Sequence, residues 1–164
     1  MSTAIWIQTS YHQAFKCGGW AYVRSHDKTA SGQAGGERYT TPERMALAGL
    51  LAALKDLPPK EKQGGAVSIQ IDDGAVARTA AQIAAGRPPQ GDDAPSENLD
   101  LWAALTAALA GRQPSFAIAG PSKASPTGFA AAWAELARDK ANAQGAFVSA
   151  IPKPNLAKVA GLPL

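Results

Sequence analysis

The alternation of apolar and polar positions marks out the elements before any motif is considered. Ala4-Ile5-Trp6-Ile7-Gln8-Thr9-Ser10 is short, rich in β-forming residues and bounded by polar ones, which predicts a first strand. Gly18-Gly19 leads into Trp20-Ala21-Tyr22-Val23-Arg24-Ser25, a second strand with aromatic and β-branched content. Asp27, Gly32, Gly35 and Gly36 predict a hairpin turn and a weaker third strand ending near Tyr39. Thr40-Thr41-Pro42-Glu43 is a helix entrance, with Thr41 suited to cap and Pro42 to the first helical position. Leu47, Leu50, Leu51 and Leu54 follow at i, i+3, i+4 and i+7, the buried stripe of an amphipathic helix. Leu57-Pro58-Pro59 stops it, and Lys60 to Gly65 reads as a polar connector.

The second half repeats this logic with helical crossovers. Ala66 to Ile71 predicts a strand that ends at Asp72-Asp73-Gly74, followed by a short alanine-rich helix reaching Ala85. Gly86 to Ser96 is a loop. Asn98 to Leu109 is helical, with Trp102, Leu105 and Leu109 in register. Ser115 to Ala119 predicts a last core strand, 120–128 a second loop, and Phe129, Trp133, Leu136 and Ala137 a final helix reaching about Ala143. Gly145 to Leu164 mixes prolines with scattered apolar residues in no assignable pattern. Three antiparallel strands feeding parallel ones through helices imply an α/β fold, a five-stranded mixed sheet with helices on both faces. One domain over 1–143 with an extension over 144–164 is the expected organisation, without repeats or a second domain.

Composition narrows the class. The chain has 164 residues, 46% apolar and 18% charged, enough for a sizeable core and too apolar for intrinsic disorder. No apolar run reaches the roughly 18 residues that a membrane span needs. Met1 to Trp6 lacks a basic region followed by an apolar one, so no secretory signal is expected, and a cytoplasmic location follows. The formal charge of +3 tolerates a polyanionic partner without demanding one. The single cysteine, Cys17, excludes an internal disulfide and a thiolate zinc cage, and reads as a small buried hydrophobe.

Four fragments in order carry a resemblance. Thr40-Thr41-Pro42-Glu43-Arg44-Met45-Ala46-Leu47 resembles the first-helix signature of ribonuclease H, which typically reads T-T-N-N-R-M-E-L. Val67 to Ile71 with Asp72 looks like that family's fourth strand and its terminal aspartate. Asn98-Leu99-Asp100-Leu101-Trp102 resembles its N-x-D-L-W helix start, and Ala134-Glu135-Leu136-Ala137-Arg138 its D-E-L-A-R last helix. Ile5 to Arg24 fits the first hairpin, so the resemblance spans about residues 4–143.

The resemblance implies metal-assisted phosphodiester hydrolysis, in which two divalent cations about 3.5–4 Å apart activate water and stabilise the leaving oxygen. Magnesium needs hard oxygen ligands, and the family supplies four carboxylates. Carried onto this chain, the first falls on Gln8, the second on Ala46, the third is present as Asp72 and the fourth falls on Ala134. One carboxylate cannot balance a pair of divalent cations, so a degenerate site, a pseudoenzyme, is expected, with no cofactor where the family would use magnesium. Asp72 is the remnant metal ligand.

Other departures agree with this. Thr9-Ser10 stands where the family has Gly-Ser, Pro42 and Glu43 replace paired asparagines, and 120–128 offers no histidine. The basic duplex-gripping handle of some members is absent from 86–96, which carries Asp92 and Asp93. Substitute ligands are conceivable in Glu43, which shares a helix face with position 46, Asp73 and Glu135. Asp73 is more simply the cap of the following helix, and Glu135 should point about 100° away from Ala134.

Ser10, Trp20, Arg44 and Lys123 are the candidate nucleic-acid contacts, with Arg78 and Arg138 as further phosphate-binding cations. Trp6, Trp102 and Trp133 read as core, whereas Trp20 lies nearest the family's nucleic-acid face. Three functions remain open at this level. The first is a non-cleaving module that binds duplex or RNA–DNA hybrid. The second is a protein-interaction or self-association domain working through 145–164. The third is a residual hybrid ribonuclease with substituted ligands.

Overall fold

A computed structural model describes residues 2–55, 57, 66–159, 161 and 162. The N-terminal third folds as a meander: β1 (Thr3–His12), β2 (Cys17–His26) and β3 (Thr29–Glu37) pair antiparallel through two tight hairpins. Helix α1 (Pro42–Lys55) begins where the sequence puts it, with Thr41 Oγ1 accepting the Arg44 amide at 3.2 Å. Three leucines of its stripe, Leu47, Leu50 and Leu54, are buried, while Leu51 is half-buried. The polar connector predicted over 60–65, and the two prolines before it, lie outside the described residues.

Strand β4 (Val67–Ile71) then enters beside β1 and parallel to it. Helix α2 (Gly74–Ala84) is capped by Asp73, whose Oδ1 accepts the Val76 amide at 3.0 Å. Helix α3 (Leu99–Leu109) packs on α1 through buried Trp102, Leu105 and Leu109. Strand β5 (Ser115–Ile118) pairs parallel with β4. It is a largely exposed edge strand rather than the core strand its sequence predicts, because nothing in the sheet lies beyond it.

The longest helix, α4 (Pro126–Gln144), crosses the opposite face over β1, β2 and β3. Its buried stripe is Ala130, Ala134, Ala137 and Ala141, and not the larger residues that mark the helix in the sequence; Leu136 is exposed. The reason lies underneath. Gly19 and Gly36 are paired across β2 and β3, and a Cβ on Gly19 would run into the Ala134 carbonyl oxygen and the Arg138 amide. A Cβ on Gly36 would sit 2.8 Å from both the Ala137 carbonyl oxygen and the Ala141 Cβ. Alanine over glycine lets the helix rest directly on the sheet.

The trailing segment supplies a sixth strand. Strand β6 (Phe147–Ala150) pairs antiparallel with β3, giving the order β5-β4-β1-β2-β3-β6, and α5 (Lys153–Leu156) packs against β3. The sheet therefore has six strands where five were expected, since pairing to β3 is a long-range event with no local signature. Ile151 and Leu156 join Trp6, Ala21, Val23 and the α4 alanines in the core of that face. The other face buries Ile5, Ile7, Trp20 and Tyr22 under α1, α2 and α3. None of the described helices is long and apolar enough to cross a membrane.

Candidate functional site

The middle of β1, where its pairing with β4 stops, and the end of β4 build the site. Ile7 lies opposite Ile71 in the parallel ladder, so the next residues, Gln8 and Asp72, emerge from neighbouring strands. The Asp72 carboxylate accepts the Thr9 amide at 2.8 Å and the Thr9 hydroxyl at 3.1 Å. Burial raises the Asp72 pKa above its ordinary value. The Thr9 bonds pull the other way without cancelling that cost, and the nearby Asp73 charge adds to it. Gln8 is 1% exposed, and its Nε2 donates to the Ala119 carbonyl at 2.8 Å, tying β1 to the chain just after β5.

The other two positions are separated by the sheet. Ala46 is 0% exposed in the core beneath α1, and Ala134 is 0% exposed in the core beneath α4. The fold thus brings Gln8 and Asp72 together but sends Ala46 and Ala134 to opposite faces. The neighbouring acids have other tasks. Asp73 caps α2. Glu43 Oε2 accepts from Asn98 Nδ2 at 2.7 Å, turned toward the start of α3. Glu135 is an exposed partner of Arg138, 3.8 Å from its Nη2. Among the described residues, no three His, Cys, Asp or Glu side chains come together as a metal ion would need.

A cation borders the site. Arg138, reaching down from α4, donates from Nη1 to Ser10 Oγ at 3.0 Å, while Nη2 and Nε hold Asp139 Oδ1 at 2.9 and 3.0 Å. Consecutive β1 residues therefore touch the acid and the guanidinium, Thr9 the first and Ser10 the second. Arg138 reads in the sequence only as a general phosphate contact; its closeness to Ser10 depends on α4 lying flat over Gly19.

The remaining candidates are dispersed. Trp20 is 3% exposed, its ring parallel to that of Tyr22 with centroids 6.4 Å apart, so it is part of the core and offers no face to a base. Arg44 is engaged by Glu37 at 3.1 Å, Asp100 at 3.5 Å and Asn98 at 3.4 Å. Its hydrogen bond pulls the Asp100 carboxyl below the usual range. Lys123 lies exposed in the loop before α4, next to the Ser122–Ser125 hydroxyl pair at 2.8 Å.

Two aromatic residues escape the sequence reading: Phe15 and Tyr39, 61% and 88% exposed. Both sit at turns, where no periodicity separates an inward ring from an outward one. The only available signal is that each is flanked by polar or small residues.

No family model and no curated protein matches the chain. Solved structures do. LC9-RNase H1, described as a type 1 RNase H with the type 2 active-site motif, superposes with a TM-score of 0.63 at 16% identity over 99% of this chain and 86% of its own. The N-terminal RNase H domain of Rv2228c from Mycobacterium tuberculosis gives 0.58 at 21% identity, covering 87% of this chain and 96% of that one. LC11-RNase H1 in complex with an RNA/DNA hybrid gives 0.59 at 16% identity, with coverages of 85% and 98%. Strand order, helix placement and these superpositions agree with the sequence motifs: the chain has a ribonuclease H-like fold.

Proposed function

We propose that this chain is a ribonuclease H-like domain that holds nucleic acid without cutting it. The observation that carries the reading is the state of the site. Of the four positions where the resemblance expects carboxylates, only Asp72 has one, while Gln8, Ala46 and Ala134 are packed out of solvent. Asp72 Oδ2 accepts both the amide and the hydroxyl of Thr9. This donor set does not suit a pair of divalent cations, because the charge is too small and the neutral positions offer too few oxygens. Removing one well-placed electrostatic group commonly costs a hundredfold or more in rate, and three are missing.

Support for nucleic acid as the ligand comes from the fold, from the hybrid bound to LC11-RNase H1, and from the net charge of +3. Binding through phosphates releases counterions and is therefore salt-sensitive. Fluorescence anisotropy with an end-labelled RNA–DNA hybrid, without divalent metal and at two ionic strengths, tests it. Binding that weakens with salt is expected, and no binding at low salt rejects the reading. The same hybrid incubated with magnesium or manganese should stay intact. Cleavage that disappears in Asp72→Ala would establish a working hydrolase instead.

One feature favours a second reading, self-association through 145–164. Strand β6 forms an edge of four uncharged residues, Phe147-Val148-Ser149-Ala150, of which Val148 is an exposed large hydrophobic, as is Leu136 of α4. Natural edges usually carry a charge, a proline or a bulge against pairing. Light scattering on the full chain and on Val148→Lys distinguishes a dimer joined at this edge from a monomer.

A further inference from the structure

Past Thr9 and Ser10, β1 runs on to His12 and turns through a hairpin tip into β2 at Cys17. The tip between β1 and β2 and the loop between β3 and α1 are one surface, since the Thr40 amide donates to the Lys16 carbonyl at 3.0 Å. On it lie Phe15 and Tyr39, the two exposed aromatics of that end, and the His12 ring packs against Phe15 with centroids 4.8 Å apart. The His12 Nδ1 has no partner among the described residues. Tyr39 and Lys16 are both held at φ 52°, a conformation that costs a side-chain-bearing residue stability.

The charge of the surface is one-sided. Residues 11–18 and 38–41 contain Lys16 and Arg38 and no acid. Arg38 donates to a neutral carbonyl, that of Asn142, at 2.7 and 3.0 Å, and pairs with no acid among the described residues. The acids next along the chain are engaged elsewhere, Glu37 by Arg44 and Glu43 by Asn98.

We infer that this tip, with Tyr39 and Phe15 as stacking faces and Lys16 and Arg38 as phosphate partners, binds an unpaired stretch of nucleic acid next to a duplex. Exposed rings beside cations that no acid neutralises are what a single strand requires, because its bases present open π-faces and its backbone a line of charge. A duplex hides those faces inside its stack and gains nothing from the rings. The inference rests on the proposed nucleic-acid reading and specifies which form of the polymer the tip recognises.

The test compares a blunt RNA–DNA hybrid with the same hybrid carrying a single-stranded overhang of about ten nucleotides, long enough for one binding site. Anisotropy is measured on the full chain without metal. The overhang should tighten binding about tenfold, and Tyr39→Ala and Phe15→Ala should each remove most of that gain while leaving the blunt hybrid unaffected. Tyr39→Phe keeps the ring and should keep the gain. Phe15 has an ordinary backbone, so its variant reports cleanly if Tyr39→Ala melts early. A blunt hybrid that binds with no benefit from the overhang, or a benefit indifferent to both substitutions, overturns the inference and leaves the parent reading standing. Absence of binding to either probe at low salt removes both.

Discussion

Asp72 is caught between opposing effects. Two hydrogen bonds from Thr9 favour its ionised form, yet burial outweighs them and keeps its pKa above the ordinary value of 3.8. With the folded value raised, the folded chain binds more protons than the unfolded one between the two pKa values. The contribution to stability is thus full below the unfolded pKa and lost as pH rises through the folded one. Asp72→Asn has no such titration and its amide oxygen can still accept the Thr9 amide. The melting temperature of Asp72→Asn minus that of the parent should therefore grow from about pH 3.5 to about pH 7. Thermal melts across that range check it; a difference that shrinks with pH contradicts the burial argument. At this scale Asp72 was readable as a strand-end acid, but its bond to Thr9 was not, because local pattern says nothing about which neighbouring strand lies alongside.

Among elements, the contact of α4 with the sheet is the most exacting. The helix backbone lies against Gly19 and Gly36, so any side chain there must push the helix away. Gly19→Ala should cost about 3 kcal/mol, at the upper end for overpacking, and should disturb the Arg138–Ser10 bond above it. Gly120→Ala is the control: an added Cβ there meets nothing within 4 Å, and stability should change by less than about 0.5 kcal/mol. Urea titrations compare the two variants, and equal midpoints would refute the packing account. This helix also shows where hydrophobic pattern misleads. Phe129, Trp133 and Leu136 mark a helix correctly, but close approach to glycine selects the smallest residues for the inner face, leaving Leu136 outside. Helix α1 behaves conventionally, because its leucines meet large residues such as Ile7 and Trp20 in a deep core.

For the whole molecule, the segment after α4 is a structural part of the sheet through β6. Strand β6 covers the edge of β3, the Ile151 amide donates to the Gly32 carbonyl at 2.9 Å, and Ile151 and Leu156 fill the core of the α4 face. Each buried aliphatic side chain contributes roughly 1.5–3 kcal/mol. Ending the chain after Gln144 should therefore destabilise it by about 4 kcal/mol, and the newly exposed β3 edge should promote association. Denaturation midpoints and light scattering on full-length and shortened chains test this, and coincident unfolding curves would show that the segment is dispensable.

The sequence by itself determined the order and type of the described strands and α-helices up to β5, the start of α1, the cap of α2, and the identity of the residues at the four positions where the resemblance expects carboxylates. These follow from periodicity, capping chemistry and motif spacing, all carried within a few residues of chain. Only the tertiary structure decided that β6 joins the sheet, that β5 lies at its border, that Trp20 is inside while Phe15 and Tyr39 are outside, and that Arg138 reaches Ser10. Each of those depends on contacts between segments distant in the chain, where the surroundings rather than the residue choose which side faces water.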